Sequence, residues 1–452
     1  MVAPELQIQK RKRGVVLSSQ GWQRLQAAEH LAALRENNGK SYTLEQLSDR
    51  TGLSTKTLTK VRRRQKPVDQ PTLEAYFEAF GLTLGTDDCI GQDFEVAPPT
   101  SAFSQQVPLR GQIPLDSLLY VYRPPAEQIC FKEIMQPGAL IRIKAPQQFG
   151  KTSLMARVLN QAEDHSFRTA VLSMRLADAS VFSSLEQFLK WFCASVTRGM
   201  QLPNKLDEYW DATFGSSYCC GDYFERYLLP EGDTPLLLAI DDADILFAHP
   251  EIATDFFGML RAWYEQSRHG TAASEIWHRL RLVILHSTEV LLRLNMHQSP
   301  FNVGILVELL PFTPEQVQDL ALRYGLAGSD VQSDILVDML GGNPYLTQLA
   351  LHYINTYGLT MSDIATSALA PDGVFGSYLR QLFIYLEDRH ELIVAVKQMV
   401  AKPQGVELYP EAAFRLYSLG LVRFKGRLTL FNGTLHQHYF TQIVDLLPDA
   451  AP

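Results

Sequence analysis

Apolar residues recur at steps of three and four over the first 80 residues, which predicts short amphipathic helices. The polar residues between them are typical helix caps. Thr43 and Gln46 have the spacing of a capping box, and Ser54 stands directly before the next helix. A glycine-containing turn at 51–54 joins two of these helices, which is the helix-turn-helix pattern. We therefore predict an all-α helix-turn-helix domain over residues 1–85.

The pattern then changes twice. Residues 86–112 contain prolines and glycines with little periodicity, which predicts a linker. From residue 113 onward, short apolar runs alternate with helical stretches, as is typical of a parallel sheet covered by helices. The runs with the character of buried strands are 139–143, 168–174, 235–240 and 281–286. We predict an α/β core over residues 113–310.

Helical periodicity dominates again after residue 310. Thr313 and Gln316 have the spacing of a second capping box, and we predict a helical lid over residues 311–370. The last segment, 371–452, ends in a helix, a strand, a short glycine turn and another strand, which predicts a winged helix. The predicted fold class is multidomain, with an all-α head, an α/β core, a helical lid and a C-terminal winged helix.

Charge is distributed unevenly along the 452 residues. Residues 1–80 carry 14 Lys and Arg against 8 Asp and Glu, a net charge of +6. Since the net charge of the whole chain is −8, the remaining residues carry −14. A basic head on an acidic body indicates a polyanionic partner for the head. The five cysteines are scattered, which favours reduced thiols and a cytoplasmic location. We expect neither a signal peptide nor a membrane span.

Residues 145–153, Ala-Pro-Gln-Gln-Phe-Gly-Lys-Thr-Ser, match a P-loop with Ala145 in place of the first glycine. A strand, a tight loop and a helix aim backbone N–H groups and a helix N-terminus at a phosphate. Lys151 would reach the β- and γ-phosphates, and Thr152 would place its hydroxyl on Mg²⁺. The loop residues expected to bind ATP or ADP are Gln147, Gln148, Phe149, Gly150, Lys151, Thr152 and Ser153.

Two further strand ends carry candidate chemistry. The apolar run 235–240 ends in Asp241 and Asp242, the Walker B pattern, so we expect Asp241 to hold Mg²⁺ and Asp242 to position the attacking water. Because an aspartate at the second place is one methylene shorter than glutamate, slow ATP hydrolysis is expected. Ser287 or Thr288, after the next strand, is a candidate γ-phosphate sensor, although such residues also serve turn chemistry alone.

The second helix of the helix-turn-helix pattern is a candidate recognition helix for the major groove of double-stranded DNA. Base contacts would come from its N-terminal part, and the arginines that follow would contact phosphates. The candidate residues are Thr55, Lys56, Thr57, Lys60, Arg62, Arg63 and Arg64. Small helical domains of this kind also serve as protein adaptors, and this alternative stays open.

The chain resembles the AAA-like members of the STAND signal-transduction ATPases, the bacterial and often cyanobacterial type with a helix-turn-helix-like head. The resemblance is carried by residues 122–125, 137–147, 150–155, 239–242 and 286–289. It implies that Tyr122 and Arg123 lie at the adenine end of the pocket, and that Pro344, in a Gly-Asn-Pro turn, contacts the nucleotide. It also implies that the winged helix packs on the nucleotide-binding fold, and that alanine is tolerated at position 145.

These observations predict a cytoplasmic signal-transduction switch whose nucleotide state controls its conformation and self-association. Lys151, Asp241 and Asp242 would carry slow ATP hydrolysis, and the head would bind DNA. Two alternatives remain: a signalling scaffold whose head recruits an effector protein without nucleic acid, and a DNA-remodelling ATPase of a mobile-element or defence system. Stimulation of hydrolysis by DNA would distinguish the second alternative from the others.

Overall fold

A computed structural model describes residues 15–17, 42–63, 68–85, 88–91, 111–270, 272–287, 302–326 and 330–447, together with eight helical positions between 21 and 36. The chain divides into two compact units, Met1–Ala102 and Phe103–Pro452. Among the described helices, none is both long enough and apolar enough to cross a bilayer.

Two helices of the first unit, α1 (Leu44–Thr51) and α2 (Thr55–Arg63), begin at the predicted caps, and a third, α3 (Gln70–Glu78), follows them. The capping box of Thr43 and Gln46 is confirmed, and Gly52 ends α1 with a left-handed φ of 69°. Ser54 Oγ accepts from the backbone N–H of Thr57 at 3.2 Å. Apolar side chains of all three helices share one buried core, including Leu47, Leu58, Leu73, Tyr76 and Phe77.

The prediction that this unit is all-α is wrong. Strand β1 (Val15–Leu17) pairs antiparallel with β2 (Cys89–Gly91), and Val15 also bridges to Val68. Each strand has only three residues, too few for an alternating pattern to be recognised in the sequence. Strand β2 lies in the stretch predicted as a linker, so at least these three residues of that stretch belong to the first unit.

The second unit contains a five-stranded parallel sheet in the order β4-β5-β6-β3-β7. Its strands are β3 (Leu140–Lys144), β4 (Arg168–Ser173), β5 (Leu236–Asp241), β6 (Leu280–His286) and β7 (Ile305–Glu308). The four predicted runs are confirmed within one or two residues. Strand β6 is buried at every position, as expected for a strand covered on both faces.

Helices cover both faces of this sheet, as the predicted parallel arrangement requires. They are α4 (Ala126–Glu133), α5 (Lys151–Asp164), α6 (Leu185–Gly199), α7 (Leu206–Tyr209), α8 (Ser216–Tyr223), α9 (Pro250–Gln266) and α10 (Ala272–Trp277). One face packs Ile141, Leu154 and Val283 against α4 and α5. The other face packs a large aromatic core from α6, α9 and the turn after α8, with Phe192, Phe224, Phe256 and Trp263. The α/β core is confirmed.

The remaining elements are helical apart from one hairpin. They are α11 (Pro314–Arg323), α12 (Ser333–Leu340), α13 (Pro344–Tyr357), α14 (Met361–Ser367), α15 (Gly376–Glu387), α16 (His390–Ala401), α17 (Pro410–Ser418), β8 (Val422–Lys425), β9 (Leu428–Phe431) and α18 (Thr434–Ile443). The capping box of Thr313 and Gln316 is confirmed. A single buried core joins Leu320 and Leu346 of the predicted lid to Leu416 and Phe440 of the last segment.

Candidate functional site

The loop between β3 and α5 has the backbone shape of a phosphate cradle. Gly150 stands at its end with a φ of 86°, a conformation that costs most other residues about 1–2 kcal/mol. Gln148, with a φ of 63°, is a second left-handed position in the loop. Ala145 has no positive φ, and its side chain is fully buried in the core beneath the loop. An alanine is therefore accommodated at the position where the P-loop pattern has a glycine.

Lys151, the first residue of α5, has all three ammonium donors satisfied. Its Nζ donates to the carbonyls of Ala145 and Pro146 at 2.8 and 2.9 Å and to Ser287 Oγ at 2.9 Å. Burial lowers the pKa of Lys151 to about 8, while the carboxylates of Asp244 and Asp241 oppose this shift. The β6 end and the P-loop are thus joined through one lysine.

Asp241 and Asp242 emerge at the end of β5 and point to different partners. Thr152 Oγ1 donates to Asp241 Oδ2 at 3.1 Å, and burial followed by the charge of Asp242 raises the pKa of Asp241. Asp242 has a φ of 56°, and its carboxylate accepts from Arg175 Nε at 2.8 Å and from Ser173 Oγ at 3.2 Å. Asp242, the second acid of the Walker B pattern, is therefore paired with the guanidinium of Arg175.

Asp244 lies at the same strand end and was not predicted as a site residue. Its two carboxylate oxygens both accept from the backbone N–H of Ser287 at 2.8 Å. Ser287 is thus fixed on its backbone by Asp244 and on its hydroxyl by Lys151. The signal was present in the sequence as a third acid in Asp-Asp-Ala-Asp, directly after the strand. Thr288, the other sensor candidate, lies outside the described residues.

These groups surround a cavity of about 570 Å³, a volume within the usual range for small-molecule and cofactor sites. Ten predicted residues line it: Gln147, Gln148, Gly150, Lys151, Thr152, Ser153, Asp241, Asp242, Ser287 and Pro344. Eight lining residues were not predicted: Gly111, Gln112, Ile113, Arg175, Asp244, Ile245, Tyr345 and Gln348. We call this space the P-loop cavity.

Phe149, Tyr122 and Arg123 were predicted to bind the nucleotide but are not among the lining residues. Arg123 is buried, and its Nη1 donates to the Phe149 carbonyl at 2.7 Å. Its guanidinium lies over the Phe312 ring, and burial lowers its pKa. Phe149 is packed in the core, and Tyr122 is 56% exposed. Arg123 therefore supports the loop from behind.

The wall contributed by residues 111–113 is held by α5. The backbone N–H of Ile113 donates to Ser153 Oγ at 2.9 Å. Arg157 donates to the carbonyls of Ile113 and Pro114 at 3.2 and 3.0 Å, and its guanidinium lies 3.4 Å from the Tyr120 ring centroid. Since this stretch has no periodic pattern, only its contacts identify it as part of the cavity.

Two C-terminal segments also reach the cavity or its loop. Asn343 caps α13 through its side-chain oxygen, which places Pro344 and Tyr345 on the cavity wall. The backbone N–H of Gln147 donates to the Ser418 carbonyl at 2.8 Å. A Cβ placed on Gly420 would lie 3.3 Å from the Phe149 ring. The end of α17 is therefore in direct contact with the P-loop.

The chemistry of these donors fits a Mg²⁺–nucleotide. A carboxylate and a hydroxyl within hydrogen-bond distance of each other suit Mg²⁺. In proteins this ion keeps several water ligands and is bound by a few protein oxygens together with phosphate oxygens of the substrate. Across the described parts of the chain, no group of three or more His, Cys, Asp or Glu side chains could hold a metal alone. A metal held by Asp241 and Thr152 would take further ligands from water and from nucleotide phosphates.

The predicted recognition helix is α2 in the first unit. Thr55, Lys56 and Lys60 are exposed on it, and the Thr57 hydroxyl hydrogen-bonds Ser54. Arg62 faces the interior of the unit, where its guanidinium pairs with Glu29 at 3.1 Å and donates to the Tyr76 hydroxyl at 2.9 Å. The side chain of Arg63 and all of Arg64 lie outside the described residues.

Known proteins show partial similarity to this chain. A region of 215 residues is 27% identical to an uncharacterized WD repeat-containing protein of Synechocystis sp., covering 45% of this chain but only 17% of that protein. A Walker-type ATPase of Pyrococcus abyssi matches over 71% of this chain and 95% of its own, with 12% identity and a TM-score of 0.45. Cdc6p from Pyrobaculum aerophilum matches over 74% and 98%, with 15% identity and a TM-score of 0.36.

The family comparison covers most of the chain. The model of the AAA-like domain matches residues 108–442, a range that includes the P-loop, the strand ends that carry Asp241 and Ser287, and the helices after them. The sheet, the P-loop and the Walker B strand found here are those of a P-loop ATPase fold. The chain belongs to the AAA-like domain family.

Proposed function

We propose that this protein is a nucleotide-dependent switch that binds ATP or ADP with Mg²⁺ in the P-loop cavity. The observation that carries the proposal is the convergence of Lys151, the Thr152–Asp241 pair and Ser287 on one cavity at the N-terminus of α5. A bound Mg²⁺–nucleotide would supply phosphate oxygens, a neutralising divalent charge and the phosphoryl bond to be hydrolysed. Lys151 would exchange its loop carbonyls for phosphate oxygens, and Thr152 and Asp241 would hold the metal.

Hydrolysis by this site is expected to be slow. Asp242, the residue placed to orient an attacking water, is already paired with Arg175 and hydrogen-bonded by Ser173. Both groups donate to Asp242 Oδ2, which leaves Oδ1 of this carboxylate to accept from an attacking water. Slow turnover suits a protein that holds one nucleotide state for long periods rather than one that performs work in each cycle.

The contact between α17 and the P-loop supports the switch. Gln147 N–H bonded to the Ser418 carbonyl links the loop to the C-terminal helix and hairpin. In the proposed STAND-type arrangement, this segment is a winged helix that packs on the nucleotide fold. A change of nucleotide would bias that contact, and thereby expose or cover surfaces for self-association.

Binding of a fluorescent ATP analogue to the full chain tests the assignment. Lys151→Ala removes the phosphate-facing ammonium, and we expect binding to be lost at every concentration below about 1 mM. Lys132→Ala, at an exposed position of α4, is the matched control and should bind like the unaltered protein. Retention of tight binding by Lys151→Ala would refute the site.

For the first unit we propose helix-turn-helix binding of double-stranded DNA. The exposed Lys56 and Lys60 on α2 and the basic balance of the head support it. The full chain should bind a DNA duplex with an affinity that falls as salt rises, and Lys56→Ala with Lys60→Ala should weaken binding and reduce the salt slope by about two. Duplex binding that this double variant leaves unchanged would contradict the proposal.

One observation favours the alternative of an effector-binding head. Arg62 is paired with Glu29 inside the unit, so it does not add to the cationic surface of α2. If duplex binding is absent at about 50 mM salt, where electrostatic attraction is strong, the protein-binding alternative replaces the DNA proposal.

A further inference from the structure

A second cavity, of about 580 Å³, lies in the second unit between α8 and α9, and Trp277 of α10 also lines it. From α8 and the turn after it, its wall includes Tyr218, Gly221, Asp222 and Glu225. From α9, its wall includes Asp255, Gly258, Arg261, Trp263 and Glu265. No residue of this cavity, which we call the acidic cleft, lines the P-loop cavity.

Charge in the acidic cleft is strongly one-sided. Four carboxylates and one guanidinium line it, and that guanidinium, Arg261, is paired with Glu265 at 2.7 Å. Asp222 is paired with Arg226 at 3.2 Å. Glu225 and Asp255 have no ion-pair partner among the described residues. A concave surface with unneutralised carboxylates raises the local concentration of cations and selects a cationic ligand.

The acidic cleft also contains an accessible hydrogen-bond donor. The side chain of Trp263 is 4% exposed, but its indole nitrogen is not one of the fully buried atoms that lack a partner. The indole nitrogen lies 3.5 Å from the point where a Cβ on Gly221 would stand, and both residues line the cleft. The N–H of an otherwise buried ring is therefore open to the cleft, where water or a ligand can accept from it. An oxygen acceptor on a ligand would satisfy this indole.

Local structure on both helices keeps the acidic cleft open. Gly221 and Gly258 stand inside α8 and α9, where glycine costs about 1 kcal/mol relative to alanine. Glu225 belongs to a five-residue π-helical turn, Phe224–Leu228, directly after α8. Such turns are rare and are found frequently at functional sites. Tyr218, stacked on Phe214, places an exposed aromatic ring at the cleft.

We propose that the acidic cleft binds a basic peptide segment of a partner protein. An arginine or lysine side chain would lie between Glu225 and Asp255, and Tyr218 would offer a ring face to the same cation. A peptide carbonyl next to that side chain would accept from the indole N–H of Trp263. A peptide carries both required groups, a cation and a neighbouring carbonyl acceptor, within a few ångströms.

The test uses the full chain and a fluorescent, end-blocked peptide in which arginine alternates with glycine. Its partner probe has citrulline in place of every arginine, which keeps the shape and removes the charge. We expect the arginine peptide to bind at about 50 mM salt, to weaken as salt approaches 0.5 M, and to exceed the citrulline peptide in affinity at least tenfold. Equal binding of both peptides, or no binding of the arginine peptide at 1 mM, overturns the proposal.

Two double variants distinguish peptide binding in the acidic cleft from general attraction to the negatively charged chain. Glu225→Gln with Asp255→Asn removes two unpaired charges from the cleft, and we expect about tenfold weaker peptide binding. Asp207→Asn with Glu208→Gln removes the same charge from exposed positions of α7 outside the cleft and should have little effect. If both double variants weaken binding equally, the peptide recognises net charge and not the cleft.

Gly221→Ala tests the indole contact in a protein that should fold at least as well. The added methyl stands at ordinary contact distance from the indole nitrogen, where it obstructs an incoming carbonyl. We expect peptide affinity to fall about three- to tenfold while nucleotide binding is maintained and the melting temperature does not decrease. Unchanged peptide affinity in this variant would show that Trp263 does not contact the peptide carbonyl, and it would overturn the assignment of the ligand as a peptide.

Discussion

The P-loop cavity and the acidic cleft have nearly equal volumes, about 570 and 580 Å³, but they are formed by different kinds of structure. The first lies where parallel strands end, and loops supply its backbone donors and charged side chains. The second lies between the faces of two helices, and side chains supply nearly all of its chemistry. A site made from a loop motif can be recognised in a short stretch of sequence, whereas a site made from helix faces cannot.

The two cavities also differ in how their charges are balanced. In the P-loop cavity, Lys151 lies among three carboxylates and donates to Ser287, and Asp242 is paired with Arg175. In the acidic cleft, two of four carboxylates have no described partner. The first cavity is therefore organised before a ligand arrives, while the second requires a cation to become neutral.

Among the variants that test this comparison, Arg123→Ala should lower nucleotide affinity the most. It removes the support of the P-loop without changing a residue that lines the cavity. Loss of the charged hydrogen bond to the Phe149 carbonyl costs about 2–3 kcal/mol. If that cost falls on the loop, nucleotide affinity decreases roughly 30- to 100-fold. Binding of the fluorescent ATP analogue measures the affinity, and urea denaturation measures the stability.

Arg168→Ala is the matched control for Arg123→Ala. Arg168 also donates to several backbone carbonyls, those of Leu228, Leu229 and Thr234, but at the opposite end of the sheet strands. We expect a similar loss of stability with nucleotide affinity preserved. If both variants bind nucleotide equally well, Arg123 is a structural residue with no role in shaping the loop.

Gly150→Ala tests whether the loop conformation itself forms the first cavity. Alanine at a φ of 86° costs about 1–2 kcal/mol, and its Cβ would lie 3.0 Å from Arg123 Nη2. We expect nucleotide affinity to fall about 5- to 30-fold. Gly358→Ala has a similar φ of 66° with open space around it, so it should cost stability alone. A Gly150→Ala protein with full affinity would show that the left-handed glycine is dispensable.

The sequence predicted the first cavity well, because its chemistry is local. Lys151, Thr152 and the strand-end acids follow short patterns that depend on strand, loop and helix in direct succession. Arg123 was predicted at the adenine end of the pocket, and the sequence could not show that its side chain also donates to the Phe149 carbonyl behind the loop. Ile113 and Asp244 were missed since their membership depends on contacts with residues 40 or more positions away.

The acidic cleft could not be predicted for the same physical reason. Its acids alternate with core residues on α8 and α9, where charged residues usually form a solvated helix face. Trp263 has the spacing of a core residue, and nothing in the sequence marks its nitrogen as unpaired. The N-terminal strands show the same limit on a smaller scale: two three-residue segments, more than 70 positions apart, pair only in the folded unit.

The two cavities should also differ in how ligand binding depends on pH. Burial lowers the pKa of Lys151 to about 8, so the ammonium that faces the phosphates is lost as pH rises through 8. Because only the charged form attracts phosphate, affinity should fall about tenfold between pH 7.5 and 9. Isothermal titration calorimetry across this range measures it. Peptide binding to the acidic cleft should stay level over the same range, and a level nucleotide profile would contradict the role of Lys151.

Gly221→Ala gives the smallest expected effect, and it has the opposite sign to Gly150→Ala. Gly221 lies inside α8 without a positive φ, so no backbone strain requires glycine there. Alanine should raise the free energy of unfolding by about 0.5–1 kcal/mol, because it restricts the unfolded chain and suits the helix. A rise in thermal stability would mean that the chain keeps a helix-weakening residue at the cleft, which is expected of a binding surface. A fall would mean that Gly221 is there for close packing against Trp263.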